Sequence, residues 1–247
     1  MNRTPEDTHA SATNPRPTVR PSDARGKADF GWLDSRHSFS FGEYHDPAHM
    51  GFRSLRVINQ DRVAPRGGFP THPHRNMEIF SYVLEGALEH RDSMGNRSRL
   101  EPGQIQLMSA GSGVTHSEYN PSASKPLRFL QIWIQPRAQG LEPTYTEWSP
   151  TEATENSPKT LLISPDGRDG SAVIHQDASV YRLRAQQGTE LTHTLTEGRG
   201  AWLQVITGTV NFNGVKVRAG DGASIEVPGN LSLTVEEDAH ALLFDLA

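Results

Sequence analysis

Short runs of alternating apolar residues, each closed by a glycine or proline turn, fill this chain from about residue 26 to its end. A period of two is the pattern of a half-buried strand, and such runs are too short for the apolar stripes of helices. Ser38-Phe39-Ser40-Phe41, Gln104-Ile105-Gln106-Leu107-Met108 and the run from Arg128 to Ile134 alternate most clearly. Leu55 to Asn59, Asp61 to Val63, and Glu78 to Leu84 are further strand candidates. The 22 glycines and 17 prolines among 247 residues are spread between these runs, so the chain reads as a turn-rich all-β protein long enough for one large domain or two small ones.

The pattern occurs twice. Val205-Ile206-Thr207-Gly208-Thr209-Val210 resembles Val83-Leu84-Glu85-Gly86-Ala87-Leu88, and Ala219-Gly220-Asp221 resembles Pro102-Gly103-Gln104. An internal duplication of one β-barrel unit explains both. The expected organisation is an N-terminal extension over residues 1–25, a first barrel over 26–136, a linker over 137–157 and a second barrel over 158–247. Residues 1–25 carry scattered prolines and mixed charge with few large apolar groups and no apolar leader core, the composition of a disordered tail. Residues 137–157 are rich in Pro, Thr and Glu.

Two short motifs in the first half carry chemistry: Thr71-His72-Pro73-His74 and Thr115-His116-Ser117-Glu118. Side chains two apart on a strand point to the same face, so each motif projects a pair of donors to one side, and two such strands in one barrel converge four. Imidazole nitrogen and carboxylate oxygen suit iron, manganese, nickel, copper or zinc, and three histidines with one carboxylate leave positions open for water, dioxygen or a substrate oxygen. Structural zinc sites more often use cysteine, of which the chain has none. A catalytic metal bound by His72, His74, His116 and Glu118 is the expectation.

The duplication offers an internal test. His72 and His74 precede Gly86 by offsets that land on Thr194 and Thr196 before Gly208, and His116 and Glu118 follow Gly103 by offsets that land on Leu233 and Val235 after Gly220. No ligand recurs, and His193 falls one residue out of register, so one metal is expected, in the first barrel. His90, His175, His193 and His240 have no such company and read as surface or hydrogen-bonded histidines. Phe30, Trp32, Phe39, Phe41 and Tyr44 read as core, with lining of a ligand pocket as the other reading.

A net charge of −5, with 24 Lys and Arg against 29 Asp and Glu and no basic stripe, argues against direct nucleic-acid binding. No apolar stretch approaches the roughly 18 residues that span a bilayer, and the cytoplasm is the expected location. Gly111-Ser112-Gly113 lacks the Lys-Ser/Thr ending of a phosphate loop and reads as a turn.

Gly67, His72, His74 and Glu78 resemble the first cupin motif, and His116 with Asn120 resembles the end of the second. The runs Gly68 to Glu78, His90-Arg91-Asp92-Ser93-Met94-Gly95-Asn96 and Met108 to Glu118 resemble the pirin family more closely, and the likeness extends from about residue 26 through Ser164 to Ser171 and Leu243 to Leu246. The resemblance implies two cupin (double-stranded β-helix, jelly-roll) barrels packed as a bicupin. It implies a metal in the first barrel alone, on His72, His74, His116 and Glu118, with Glu78 left as a gate or neighbouring residue rather than a ligand. It further implies quercetin 2,3-dioxygenase activity on a flavonol and dioxygen with release of carbon monoxide. Iron(II) is the first choice of metal, with nickel, manganese, copper or zinc as alternatives, and Glu118 is the candidate base for the 3-hydroxyl proton. The alternative function is a metal-binding, redox-responsive regulatory protein that docks a protein partner; an oxygen-independent isomerase or decarboxylase is a third reading.

Overall fold

Alternation decides which face each strand buries, and pairing decides what lies beyond that face. In the computed structural model, described over residues 15–247, the first half contributes β1 (Thr18–Arg20), β2 (Gly26–Asp29), β3 (Leu33–His37), β4 (Leu55–Val63), β5 (Gly68–His74) and β6 (Glu78–Glu85). It continues with β7 (Leu88–Asp92), β8 (Arg97–Leu100), β9 (Ile105–Ser109), β10 (Val114–Tyr119), β11 (Leu127–Ile134) and β12 (Thr144–Trp148). A one-turn helix, α1 (Glu152–Glu155), leads to β13 (Lys159–Ser164), β14 (Ala172–Val173), β15 (Ala178–Ala185) and β16 (Glu190–Leu195). The chain closes with β17 (Gly200–Phe212), β18 (Val215–Arg218), β19 (Gly222–Ile225) and β20 (Gly229–Leu246).

The first barrel is a four-stranded sheet, β5-β10-β7-β8, facing a seven-stranded one, β12-β9-β6-β11-β4-β3-β2. In the second barrel the long strands β17 and β20 run through both walls, bending where their register shifts, so that nine strands form one continuous sheet. The fold is the expected all-β pair of barrels. The duplication is visible in hydrogen bonds: Gly103 N donates to Val83 O (2.9 Å) and Gly220 N to Val205 O (2.8 Å), each acceptor three residues before a glycine, Gly86 just past the end of β6 and Gly208 at a register shift inside β17. Gly86 and Gly208 have φ of 80° and 74°, and a Cβ at either would collide with a backbone carbonyl of the neighbouring chain segment, so both positions require glycine.

The sheet containing β6, β9, β11 and β4 is buried on both sides. Phe80, Tyr82, Leu107, Leu130 and Ile132 point outward and pack against Leu162, Val180, Trp202, Leu242 and Phe244 of the second barrel in one core. Ser81, Gln106 and Gln131, their neighbours in sequence, point into the first barrel. Tyr82 Oη and His240 Nε2 meet at 2.8 Å across this interface.

Three expectations change. Thr18–Arg20 lies inside the expected disordered extension, yet it forms an antiparallel pair with Gly222–Ser224 of the second barrel, and Ser22 N donates to Asp221 Oδ1 (2.7 Å). This strand exists because β19 offers it an open edge, a partner about 200 residues away that local composition does not reveal. The part of that expectation covering residues 1–14 lies outside the described residues. The expected linker 137–157 holds β12, paired to β9, and α1, capped by the Thr151 and Thr154 side chains. Ser38–Phe41 is not a strand: all but Phe41 of this segment is buried, Phe39 stacks on Trp202 (4.7 Å) and Ser38 Oγ donates to Gln204 Oε1 (3.1 Å), so it wedges between barrels.

Candidate metal centre

His72 and His74 stand on β5, an edge strand, which is why Pro70 and Pro73 are tolerated there without an amide hydrogen. The pairing with β10 sets His116 opposite His72, and a bulge then shifts Glu118 to face Phe69. The three imidazoles converge: ring centroids of His72, His74 and His116 lie 4.5 to 4.8 Å apart. His72 Nδ1 donates to Pro70 O at 2.7 Å, which fixes the tautomer and leaves Nε2 as a lone-pair donor 3.0 Å from His116 Nε2.

Burial, then the neighbouring imidazoles, lower the pKa of His74 to about 4 and that of His116 to about 3. Both rings are therefore neutral near pH 7, as a metal ligand must be. No side-chain hydrogen bond other than the His72–His116 contact ties the three rings, and His116 Nδ1 is buried without a partner. Three imidazoles converging this closely are an unfavourable arrangement alone and a normal one around a divalent transition metal, so the donor set fits a metal.

Glu118 sits beside them, 1% exposed and clamped from three strands. Its Oε1 accepts from Ser81 Oγ (2.7 Å) and Gln106 Nε2 (2.8 Å), and its Oε2 from Gln131 Nε2 (2.6 Å). The four expected ligands thus fall into two overlapping groups, His72–His74–His116 and His90–His116–Glu118, with His116 common to both. His90, expected as a surface or hydrogen-bonded histidine without company, is the hydrogen-bonded kind but not alone: it is fully buried beside His116, held by Asp92 Oδ2 at 3.1 Å and stacked on Tyr145. Its signal was the shared motif His90-x-Asp92, but only the pairing of β7 with β10 places it opposite Glu118. Glu78 faces the other way, accepting from Ser109 Oγ (2.7 Å), because Asn76, at φ 52°, breaks the strand between His74 and Glu78.

His72 and Glu118 open onto a cavity of about 530 Å³. Phe30, Trp32, Phe41, Tyr44, Phe69 and Trp133 supply its aromatic lining, so four of the five aromatic residues singled out in sequence do line a pocket, while Phe39 belongs to the interface core. Ser35, His37, Asn59, Asp61 and Gln131 complete the wall. Asp61 is the polar residue that sequence reasoning missed; burial pushes its carboxyl up to about 7 against a 2.5 Å hydrogen bond from Ser35.

In the second barrel the ladder corrects the offset-based alignment. Pairing of β16 with β20 places His193 opposite Leu231, as His72 is opposite His116, and Leu195 takes the place of His74. Leu233, paired with Phe212, takes the place of Glu118, paired with His90. His193 is therefore in register, but its Nε2 bonds Asp245 (2.8 Å) and its Nδ1 meets Lys159 Nζ (3.1 Å), and it belongs to neither candidate metal group. Among the described residues, both candidate metal groups lie in the first barrel.

Residues 18–134 match the pirin family, and residues 161–246 match the quercetinase C-terminal cupin domain. The chain is 46% identical over 228 residues to quercetin 2,3-dioxygenase of Escherichia coli K12, covering 92% of this chain and 97% of that one. The crystal structure of YhhW from Escherichia coli superposes with a TM-score of 0.91 at 45% identity, covering 94% of this chain and 98% of that one. The nickel(II) complex of bacterial pirin YhhW from the same organism gives 0.89 at 44% identity, covering 94% and 99%.

Proposed function

The chain belongs to the pirin family, and from that premise we propose that it is a metal-dependent quercetin 2,3-dioxygenase. The observation that carries this reading is the junction of the histidine cluster with an aromatic cavity of about 530 Å³, within the size range of small-molecule sites. A regulatory protein needs a metal and a responsive surface, but no such cavity.

His72, His74, His116 and Glu118 are the residues we assign as ligands, with iron(II) as the metal and nickel(II), manganese(II), copper(II) or zinc(II) accommodated by the same donors. A metal held by these residues would supply Lewis acidity toward the flavonol 3-hydroxyl and redox chemistry toward dioxygen. Glu118 takes the 3-hydroxyl proton on a carboxylate oxygen, and Ser81, Gln106 and Gln131 keep that carboxylate aimed at the cavity. Trp32, Phe69 and Trp133 bind the ring system and exclude water. Both atoms of dioxygen enter the product, two ring carbon–carbon bonds break, and the carbon bearing the 3-hydroxyl leaves as carbon monoxide.

Anaerobic loading with each metal, followed by oxygen and carbon monoxide measurement with quercetin, tests this. We expect metal-dependent oxygen uptake with equimolar carbon monoxide, abolished in His74→Ala. Tight metal binding with no uptake on any metal would sink the quercetinase reading.

A further inference from the structure

A row of polar residues crosses five strands on the inner face of the first barrel. Gln106 is opposite Ser81, Ser81 opposite Gln131, Gln131 opposite Asn59, and Asn59 opposite His37. At one end Gln106, Ser81 and Gln131 hold Glu118. At the other end Asn59 and His37, with Asp61 in the next cross-strand pair, hold nothing.

Asn59 Oδ1 and His37 Nδ1 are buried without a partner. Asp61 accepts from Ser35 Oγ at Oδ1. All three residues line the aromatic cavity, and each is at most 4% exposed. Unsatisfied buried polar groups cost free energy that apolar side chains at the same positions would not. The second barrel shows that alternative: its ladder puts Leu183 in the place of Asp61 and Tyr181 in the place of Asn59.

The chemistry of the three groups selects a ligand. Asn59 Oδ1 is a buried acceptor without a partner and Asp61 accepts through its carboxyl oxygens when ionised, so a ligand that brings a hydrogen-bond donor satisfies them. The aromatic lining calls for a ring, and the charges of Arg25 and Arg36, which together with the larger effect of burial lower the pKa of His37, disfavour an ammonium. A phenol offers both a ring and a good O–H donor.

We propose that His37, Asn59 and Asp61 form a subsite that hydrogen-bonds a phenolic hydroxyl of the substrate other than the 3-hydroxyl, so that the pocket selects polyhydroxylated aromatic substrates over singly hydroxylated ones. The subsite rests on the dioxygenase reading for the identity of the ring system. It lines the same cavity as His72 and Glu118 and adjoins Gln131, which holds Glu118.

Quercetin and 3-hydroxyflavone share the 3-hydroxyl and differ only in quercetin's further hydroxyls. Their affinities for the full chain, metal-loaded under anaerobic conditions and metal-free, are read by quenching of tryptophan fluorescence, since Trp32 and Trp133 stand in the cavity wall. We expect quercetin to bind at least about tenfold more tightly, because a site built to pair hydroxyls discriminates against analogues lacking them. Asp61→Leu and Asn59→Leu, which install an apolar side chain, should each bring that ratio to within about threefold. Galangin and kaempferol on the unaltered protein give a second measurement independent of any variant's folding, with affinity rising as hydroxyls are added. A wild-type ratio near one across the series, or a ratio unchanged in both variants, overturns the subsite. Oxygen uptake measured in parallel separates the two readings: uptake with a flat affinity series sinks the subsite alone, and hydroxyl-dependent affinity without uptake sinks the dioxygenase and leaves a phenol-binding site.

Discussion

The two barrels share a strand ladder and fill it with opposite chemistry. Around the first barrel's centre stand His74, Ser81, His90, Gln106, His116, Glu118 and Gln131; at the matching ladder positions of the second stand Leu195, Leu203, Phe212, Ala223, Leu231, Leu233 and Leu243. All seven residues of the second set belong to one apolar core. Only His193, at the place of His72, keeps its type, and it serves a hydrogen bond to Asp245. The difference teaches that the ladder is indifferent to what it encloses: a metal centre is a choice of inward-facing side chains on a scaffold that folds equally well around leucine. It also divides labour, since buried polar groups stabilise little unless fully paired, whereas an apolar interior contributes about 1.5–3 kcal/mol per large side chain.

Exchanging the two fillings tests this contrast. At the ladder-equivalent pair His74 and Leu195, truncation should have opposite consequences. His74→Ala should remove several kcal/mol of transition-state stabilisation, on the order of 10³-fold in oxygen uptake. Leu195→Ala should leave turnover near normal and lower stability by about 2–5 kcal/mol in denaturant titration. Comparable loss of turnover in both would break the contrast. Leu233→Glu puts a carboxylate where Glu118 stands in the first barrel, but Leu203, Ala223 and Leu243 replace its three donors; we expect a loss of about 4 kcal/mol or more. Glu118→Gln keeps the shape of the first site and removes its base, so oxygen uptake should fall about 10²-fold with little change in metal content by atomic absorption.

A smaller effect concerns pH. Asp61 has a folded-state pKa of about 7 against an ordinary 3.8, so the folded protein holds this proton more firmly than the unfolded chain. The stability it contributes is present below about pH 4 and is lost as pH rises through about 7. Asp61→Asn should therefore gain in thermal midpoint relative to wild type at pH 8 compared with pH 4. An unchanged difference across that range would show that Asp61 titrates normally.

Much of this architecture was legible in the chain itself. The alternating runs at Gln104–Met108 and Arg128–Ile134 became β9 and β11, and the glycines at 86, 103, 208 and 220 marked equivalent left-handed positions of the two barrels, three of them in turns or bends and Gly208 at a register shift within β17. The two ligand motifs were legible for a local reason, since parity along one strand follows from backbone geometry alone. The same parity failed at Ser38–Phe41, where a wedge between barrels buries successive residues, and it aligned the second barrel two residues off at Leu233 and Val235, because loop lengths differ between the copies.

By itself, then, the sequence determined the strands, their turns, the inward pairs His72/His74 and His116/Glu118, and the presence of two related halves. Tertiary structure alone decided that Ser81, Gln106 and Gln131 clamp Glu118, that His90 faces it, that Asp61 opens into an aromatic cavity, and that Thr18–Arg20 straps the second barrel. Side-chain parity is fixed by bonds within a strand, whereas cross-strand neighbours are fixed by the register between segments tens to hundreds of residues apart, which no local pattern of residues encodes.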